Sequence, residues 1–193
     1  MKMMTFIKSM AAKKPMTMRE LVPGVEVFDN SFPRFQEVID QAERSPVWTE
    51  GRSGGGINPD IRRADVHELD RESELHQALI KNYVGALGEY MKKYTGVAVR
   101  EIDFLRVARY EVGGHYAAHI DASGEDGWRR IVSSVLYLND GYEGGELYFP
   151  LFDLTYKPVA GSLILFPSSY SYEHGSRPIT KGKKYCVLSW YKQ

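Results

Sequence analysis

The chain has little cysteine, since Cys186 is the only one among its 193 residues. A single cysteine excludes an intrachain disulfide and fits a reducing compartment. Long hydrophobic runs are lacking too, because no apolar stretch approaches the roughly 20 residues that span a bilayer. Near the N-terminus, Lys8 interrupts the chain before an apolar core of signal-peptide length, roughly 7–15 residues, can form. We therefore expect a cytoplasmic protein whose N-terminus is frayed or adds a strand.

An excess of charge of one sign is also lacking. Lys+Arg and Asp+Glu each total 25, so the formal net charge is zero. Proteins that bind nucleic acid by neutralising phosphates are usually basic, and the balance therefore disfavours a dedicated nucleic-acid binder. The composition, 43% hydrophobic and 26% charged, is ordinary for a globular protein. Without internal repeats or low-complexity tracts, we expect a single domain over residues 1–193.

Helical patterns dominate the first half of the chain, residues 1–96. A short helix is predicted over residues 32–43. A longer one follows Asp70, which is predicted as its N-cap. From Leu75 to Met91 apolar residues recur at spacings of three, four and seven, which predicts one buried stripe. We expect residues 1–96 to be mostly helical support, and the stripe to be core.

A glycine-rich segment, residues 50–56, lies between these two helices. Glycine-rich backbone is costly to order, so the segment is predicted to be a flexible loop. Loops of this kind can act as lids over active sites or can simply connect elements at the surface. The sequence leaves both interpretations open.

The pattern changes after Gly96, where β-branched and aromatic residues become frequent. Seven or eight short strands separated by turn signals indicate a sandwich or barrel, and a double-sheet jelly roll is the natural solution. The fold class is therefore α+β, a double-stranded β-helix (jelly roll) over residues 97–193 with supporting N-terminal helices. The strand-like segments are residues 97–110, 116–120, 131–138, 146–149, 154–159, 162–166 and 185–191.

A candidate metal site begins at His119-Ile120-Asp121. Residues two apart in a strand point to the same face, so the imidazole and the carboxylate are expected in one cavity. His174, several predicted strands later, is the natural third ligand. Two histidines and one carboxylate on one face of a metal leave the opposite positions open, as non-haem Fe(II) enzymes require. An H-x-D triplet alone is weak, and a lone histidine is more often structural than a ligand.

The other histidines are predicted to lie outside this site. His67 and His76 precede the predicted core strands and are interpreted as surface or packing residues. His115 is four residues before His119, a spacing that would pair them on a helix. Because Gly113 and Gly114 make a helix unfavourable here, His115 is predicted to lie in a loop.

A candidate cation follows the second histidine. Lys184 opens the last predicted strand, and its ammonium can reach the far carboxylate of a dicarboxylic acid that chelates the metal. The alternative for the lysines around Gly182 is a solvated turn. That description suits Lys181 and one of its neighbours.

These motifs together resemble the prolyl 4-hydroxylase-like branch of the Fe(II)/2-oxoglutarate-dependent dioxygenase superfamily. The resemblance covers nearly half of the chain, and its strength lies in the order and spacing of the motifs. The helical half resembles the family's N-terminal support only loosely. The matching segments are R-Y-E-V-G-G-H-Y-A-A-H-I-D (109–121), S-V-L-Y-L-N (134–139), G-G-E-L-Y-F-P (144–150), G-S-L-I-L-F-P (161–167) and H-G-S-R-P-I-T-K-G-K-K-Y (174–185).

The resemblance implies catalytic and cosubstrate residues. The metal ligands of the family match His119, Asp121 and His174. The basic residue that pairs with the far carboxylate of 2-oxoglutarate matches Lys184. Lys183 competes for that role because the spacing varies by one residue among family members, but the Lys-Tyr-x-x-x-x-Trp-Tyr frame favours Lys184.

Aromatic residues of the family's cosubstrate pocket also have counterparts. Tyr110 matches a tyrosine that lines this pocket, and Tyr137 matches one whose hydroxyl binds the same carboxylate. Trp190 matches an aromatic residue near the end of the last core strand. Residues 144–146 match a turn and strand start, which is a structural role.

The implied function is hydroxylation of a C–H bond in a peptidyl proline, with 2-oxoglutarate converted to succinate and CO2. The implied cofactors are Fe(II), 2-oxoglutarate as cosubstrate and O2, with ascorbate as an optional addition. Asp121 favours hydroxylation, because halogenases of the family lack this carboxylate. The implied partner is a peptide or protein, with no nucleic acid and no membrane, and the oligomeric state is not predicted.

Three other functions are weighed against this one. A hydroxylase of small molecules or free amino acids on the same scaffold is the runner-up. A nucleic-acid demethylase is disfavoured, because that branch carries extra arginines after the second histidine, where residues 187–189 supply none. A non-catalytic jelly-roll binding module would not need open metal positions. Substrate contacts are expected from residues 48–60 and 122–128, and their identity is not predicted.

Overall fold

The described chain begins with a hairpin that the sequence pattern did not reveal. The computed structural model describes residues 15–53 and 56–193, without the side chains of 125 and 126. Strands β1 (Thr17–Val22) and β2 (Val25–Asp29) pair antiparallel, and the turn between them uses Gly24 at φ +83°. The N-terminal residues predicted to be frayed or strand-adding, 1–14, lie outside the described part.

Two helices and three short strands complete the first half. The helices are α1 (Phe35–Glu43) and α2 (Glu74–Lys93), close to the predicted positions. Between them lie β3 (Thr49–Glu50), β4 (Arg62–Arg63) and β5 (Asp65–Glu68). The prediction of a mostly helical first half is therefore wrong in part, because strands this short show no periodicity.

The N-cap of α2 differs from the predicted one. Ser73 caps the helix, since its Oγ accepts a hydrogen bond of 3.1 Å from the backbone N–H of His76. Asp70 instead forms a turn before the helix, where its carboxylate accepts from the N–H of Glu72 at 3.0 Å. Aspartate is common both at helix N-caps and in turns, so the sequence alone does not distinguish the two roles.

The second half supplies the remaining strands. They are more numerous than predicted, because bulges and turns divide the strand-like segments. The elements are β6 (Glu101–Ile102), β7 (Arg106–Tyr110), β8 (His115–His119), the short helix α3 (Gly124–Gly127), β9 (Arg130–Tyr137), β10 (Glu143–Gly144), β11 (Leu147–Phe149), β12 (Leu154–Tyr156), β13 (Leu163–Pro167), β14 (His174–Ser176), β15 (Ile179–Lys181) and β16 (Lys184–Lys192).

These strands form two main sheets that face each other. The larger follows the order β1-β2-β13-β9-β16-β7-β5-β3, with β6 added to β16. The smaller follows β12-β11-β14-β8-β4, and β10 and β15 form a separate pair. The arrangement is the predicted jelly roll, and it leaves a space between the sheets into which side chains from both project.

Side chains of β16 alternate between two cores. Tyr185 and Val187 pack with the helices on the outer face of the larger sheet, whereas Cys186 belongs to the core between the sheets. Helix α2 fixes this strand through Tyr83, whose hydroxyl donates to the Val187 carbonyl at 3.1 Å. The helix thus packs against the strand that carries Lys184 and is hydrogen-bonded to it. Within the described residues, no helix has both the length and the apolar character needed to cross a bilayer.

Candidate metal centre and cosubstrate pocket

The three predicted metal ligands meet at one end of the smaller sheet. His119 ends β8 and His174 begins β14, and the two residues are paired across these neighbouring strands. Asp121 lies just past the end of β8, as the predicted segment 116–120 has it, so the alternation of side chains in a strand is not what directs it toward His119. The chain turns there, yet the ligand atoms of all three residues lie within 4.8 Å of one another.

Both imidazoles present the same nitrogen to the carboxylate. Nε2 of His119 lies 3.3 Å from Asp121 Oδ1, and Nε2 of His174 lies 3.6 Å from Oδ2. The Nδ1 atoms face backbone carbonyls, of Ala117 at 2.9 Å and of Tyr172 at 3.1 Å. A carbonyl only accepts hydrogen bonds, so each Nδ1 carries a proton, and in a neutral imidazole this leaves the lone pair on Nε2. Backbone contacts of this kind orient metal-binding histidines.

The protonation states also suit a metal. Burial alone would raise the pKa of Asp121, but the His174 and His119 imidazoles and the Ser133 hydroxyl hold it well below its usual range. Ser133 Oγ donates to Asp121 Oδ2 at 2.6 Å and is itself 2.8 Å from Ser168 Oγ. Burial lowers the pKa of His174 to about 4, so its imidazole is neutral at pH 7. Deprotonated ligands are the forms that bind divalent cations.

This donor set fits Fe(II). Two imidazole nitrogens and one carboxylate oxygen converge from one side, which is the ligand type of non-haem iron oxygenases. Among the described residues, this is the one cluster of three or more histidine, cysteine or acidic side chains close enough to share a metal. Glu125 and Asp126, nearby carboxylates in the sequence, have side chains outside the described part.

A buried lysine lies in the same cavity. Lys184 is 2% exposed, and its Nζ donates to the Gly145 carbonyl at 2.9 Å and to Ser176 Oγ at 2.7 Å. Nζ also lies 5.0 Å from the ring centre of Tyr110 and 5.4 Å from that of Tyr137. No described carboxylate forms an ion pair with it, and burial lowers the pKa of Lys184 to about 8. An anion would therefore find a desolvated cation here.

Lys183 occupies a different environment. It precedes β16, is exposed, and forms an ion pair of 2.9 Å with Glu111. The cavity that contains Lys184 is lined by all six predicted site residues, namely His119, Asp121, His174, Lys184, Tyr110 and Tyr137. Trp190 lines it as well.

Some cavity residues were missed by the sequence reasoning. Ser133 and Ser176 contact Asp121 and Lys184 and hold them in place. Serines are common, and only the pairing of distant strands brings these two toward the site, so the sequence contained no local signal for them. Arg62 lines the cavity from β4. In the sequence it belongs to a group with Arg52 and Arg63, for which binding of an acidic or polar partner was weighed against the favoured interpretation of a solvated charge cluster.

The remaining histidines lie outside the cavity lining. His115 is not helical, as predicted, but it begins β8 rather than lying in a loop. Its Nδ1 and Nε2 each lie 3.1 Å from a backbone carbonyl, of Gly113 and Asp60 respectively. His67 lies in β5, a strand that was not predicted, and packs on Trp48, while His76 is buried in α2. Both are packing residues.

Comparison of the sequence with known proteins identifies relatives among the 2OG-Fe(II) oxygenases and hydroxylases. The family profile described as the 2OG-Fe(II) oxygenase superfamily matches residues 105–192. A PKHD-type hydroxylase from Rippkaea orientalis is 30% identical over 161 residues, covering 80% of this chain and 71% of the relative. The match therefore extends from the jelly-roll core into the N-terminal half.

Solved structures give the same fold. A prolyl-4-hydroxylase from Pseudomonas putida has a TM-score of 0.74 at 22% identity, covering 88% of this chain and 93% of that one. A prolyl hydroxylase from Trichoplax adhaerens, solved with a hypoxia-inducible factor peptide, has a TM-score of 0.71 at 21% identity, covering 88% and 83%. At these identities the likeness concerns the fold, and it confirms the predicted double-stranded β-helix.

Proposed function

The chain belongs to the 2OG-Fe(II) oxygenase superfamily, in its prolyl 4-hydroxylase-like branch, and we propose that it hydroxylates a prolyl residue of a peptide. The cofactors of this superfamily are Fe(II), 2-oxoglutarate and O2. The observation that carries the proposal is the convergence of the triad and Lys184 on one cavity. The cavity has metal ligands at one point and a buried cation at another. This suits a cosubstrate that chelates the metal with one end and has a carboxylate at the other end.

Each group of the cavity has a defined task in this reaction. His119, Asp121 and His174 would hold the iron through Nε2, a carboxylate oxygen and Nε2. When bound, iron and 2-oxoglutarate supply the oxidation of a C–H bond by O2, with release of succinate and CO2. Lys184 neutralises the far carboxylate of the cosubstrate, and the Tyr137 hydroxyl is its proposed hydrogen-bond donor.

Ser133 and Ser176 act through the residues they contact. Ser133 keeps the Asp121 carboxylate oriented toward the two imidazoles, and Ser176 keeps the Lys184 ammonium directed into the cavity. Burial of the Tyr110 and Tyr137 rings beside Lys184 excludes water from the cosubstrate's far end. Exclusion of water strengthens the charge pair and protects the reacting centre.

The substrate class is inferred from the relatives. The Trichoplax neighbour is a prolyl hydroxylase that was solved with a bound peptide, and the Pseudomonas putida neighbour is a prolyl-4-hydroxylase. We propose a peptide or protein substrate that enters near Trp190, with contacts from residues 48–60 and 122–128. A cytoplasmic location and ascorbate as an addition stay predictions.

Coupled product analysis tests this proposal. Fe(II)-loaded protein is incubated with 2-oxoglutarate, air and a panel of proline-rich peptides and free amino acids, while succinate and substrate mass are measured. We expect succinate formation matched by one added oxygen atom on a peptidyl proline. Oxygen on a free amino acid alone would support the small-molecule alternative. Absence of succinate with every substrate would contradict an enzymatic function.

A further inference from the structure

Arg62 is a buried cation that the proposed reaction does not use. It begins β4, the edge strand of the smaller sheet, opposite Tyr116 of β8. It is 9% exposed, and its guanidinium carbon lies 4.7 Å from the centre of the Tyr116 ring. That ring in turn stacks on His119 at 3.6 Å between centres and 13° between planes. A guanidinium thus lies in the cavity wall, one ring away from a proposed metal ligand.

Two of the three guanidinium nitrogens of Arg62 lack hydrogen-bond partners among the described residues. Nη1 donates to the Arg52 carbonyl at 3.1 Å, whereas Nε and Nη2 are buried without a hydrogen bond of normal geometry. The Tyr110 hydroxyl lies near the guanidinium; burial raises the pKa of that tyrosine, and the guanidinium charge opposes the rise. Burying an unpaired donor costs free energy, and burying a charge without a counter-ion costs more. A ligand with two acceptor oxygens would remove this cost.

The two unpaired nitrogens are adjacent. Nε and Nη2 lie on the same edge of a guanidinium, and their N–H bonds are nearly parallel. This edge matches the two oxygens of a carboxylate, which it binds in a bidentate manner. Space beside Nε depends on Gly51, because a Cβ at that position would lie 2.7 Å from Nε. Any larger residue would crowd this edge.

The position of Arg62 favours a substrate over the cosubstrate. Together with Leu188 and Trp190, it lines both the metal cavity and a second, outer cleft that also contains Thr49 and Arg106. Lys184 lines the metal cavity and not that cleft. Arg62 therefore stands where a molecule entering from outside reaches the metal centre.

We propose that Arg62 binds a carboxylate of the substrate next to the residue that is hydroxylated. This inference rests on the proposed function and narrows its substrate class to prolyl substrates with a free carboxylate close to the target ring. In a peptide substrate, such a carboxylate is that of a C-terminal proline. The carboxylate of 2-oxoglutarate is the competing source, and the test below separates the two.

Binding to the Mn(II)-loaded protein tests this inference without turnover. With 2-oxoglutarate saturating, N-acetyl-L-proline and N-acetyl-L-prolinamide are titrated by calorimetry, since they differ in the carboxylate alone. We expect the wild type to prefer the acid by on the order of tenfold, as for a charged hydrogen-bonded pair. Arg62→Gln should lose this preference. Arg63→Gln, an exposed neighbour in the same strand, should retain it.

Three results would overturn the inference. The first is that the wild type binds the acid and the amide equally well. The second is that Arg62→Gln still prefers the acid. The third is that Arg62→Gln loses affinity for 2-oxoglutarate but not for N-acetyl-L-proline. If Arg62→Gln fails to fold, Arg62→Lys replaces it, because lysine keeps the charge without the paired donors and should lose most of the preference. The titration is independent of catalysis. If the wild type prefers the acid but forms no succinate in the turnover assay, the result counts against the proposed function and not against this inference.

Discussion

Lys184 differs from the lysine beside it in burial, and this difference predicts opposite effects of mutation. A buried carboxylate of 2-oxoglutarate needs a cation near it, and Lys184 is 2% exposed in the cavity whereas Lys183 pairs with Glu111 at the surface. Lys184→Ala should weaken 2-oxoglutarate binding by about 2–5 kcal/mol, as other truncated charge pairs do. The measurement is the Michaelis constant for 2-oxoglutarate at saturating Fe(II).

Lys183→Ala is the matched control and should leave that constant nearly unchanged. A large effect of Lys183→Ala with none of Lys184→Ala would reverse the assignment of the two side chains. The metal affinity of both variants should stay close to that of the wild type, since neither lysine touches the triad.

The lowered pKa of Lys184 predicts a pH dependence of cosubstrate binding. Burial brings the pKa of this ammonium to about 8, so its charged form is lost as the pH rises through that value. The affinity for 2-oxoglutarate should therefore be constant below pH 7 and fall by about tenfold near pH 9. Titration of Mn(II)-loaded protein across this range measures it. Lys184→Arg stays charged and should flatten the profile; an equally steep fall in that variant would assign the titration elsewhere.

At the scale of elements, the N-cap of helix α2 should contribute measurably to the free energy of unfolding. Ser73 Oγ accepts from the His76 N–H, whereas Asp70 only shapes the preceding turn. Ser73→Ala should lower the free energy of unfolding by about 1 kcal/mol, and Asp70→Ala should cost less. Urea denaturation of the two variants distinguishes them. The reverse order of effects would make Asp70 the functional cap.

Elements with long, regular patterns were predictable from the sequence, and short ones were not. The stripe of α2 and the last strand β16 lie close to their predicted bounds, because burial repeats over many residues. Hairpin strand β2 was not predictable because it is buried on both faces and contains Glu26, a charge that argues against a core strand. The groups that donate hydrogen bonds to the Glu26 carboxylate, the Lys93 ammonium and the Tyr94 hydroxyl, lie at the C-terminal end of α2, far away in the sequence.

The site was predictable where the type of a residue by itself indicates metal or anion binding. Histidine, aspartate and lysine at the family's spacing are enough to predict the triad and Lys184, and the structure brings these residues together in one cavity. The turn after β8 that brings the Asp121 carboxylate back to both imidazoles was not predictable, since it depends on packing after the strand. In the sequence, Arg62 looks like a solvated surface arginine, because its burial depends on the pairing of β4 with β8.

At the scale of the whole molecule, the two sheets enclose the site and the helices support the larger sheet from outside. Metal and 2-oxoglutarate should bind only the folded chain, because the residues that hold them come from β8, the turn after it, β14 and β16. Ligand at 100 times its Kd should therefore add about 2.7 kcal/mol of stability. For a chain of this size each kcal/mol raises the Tm by about 2–4 °C. A thermal melt with Mn(II) and 2-oxoglutarate measures the shift, and an unchanged Tm would contradict a preformed site.

The central claim is that this fold is an Fe(II) and 2-oxoglutarate-dependent oxygenase centred on His119, Asp121 and His174. Its most direct test is succinate formation from 2-oxoglutarate in the wild type, His119→Ala and His115→Ala, with Fe(II) and the peptide panel present. His115 is the matched control, because it lies on the same strand and binds backbone carbonyls instead of facing the triad. We predict that the wild type and His115→Ala form succinate while His119→Ala falls to background. Near-normal succinate formation by His119→Ala would contradict the account.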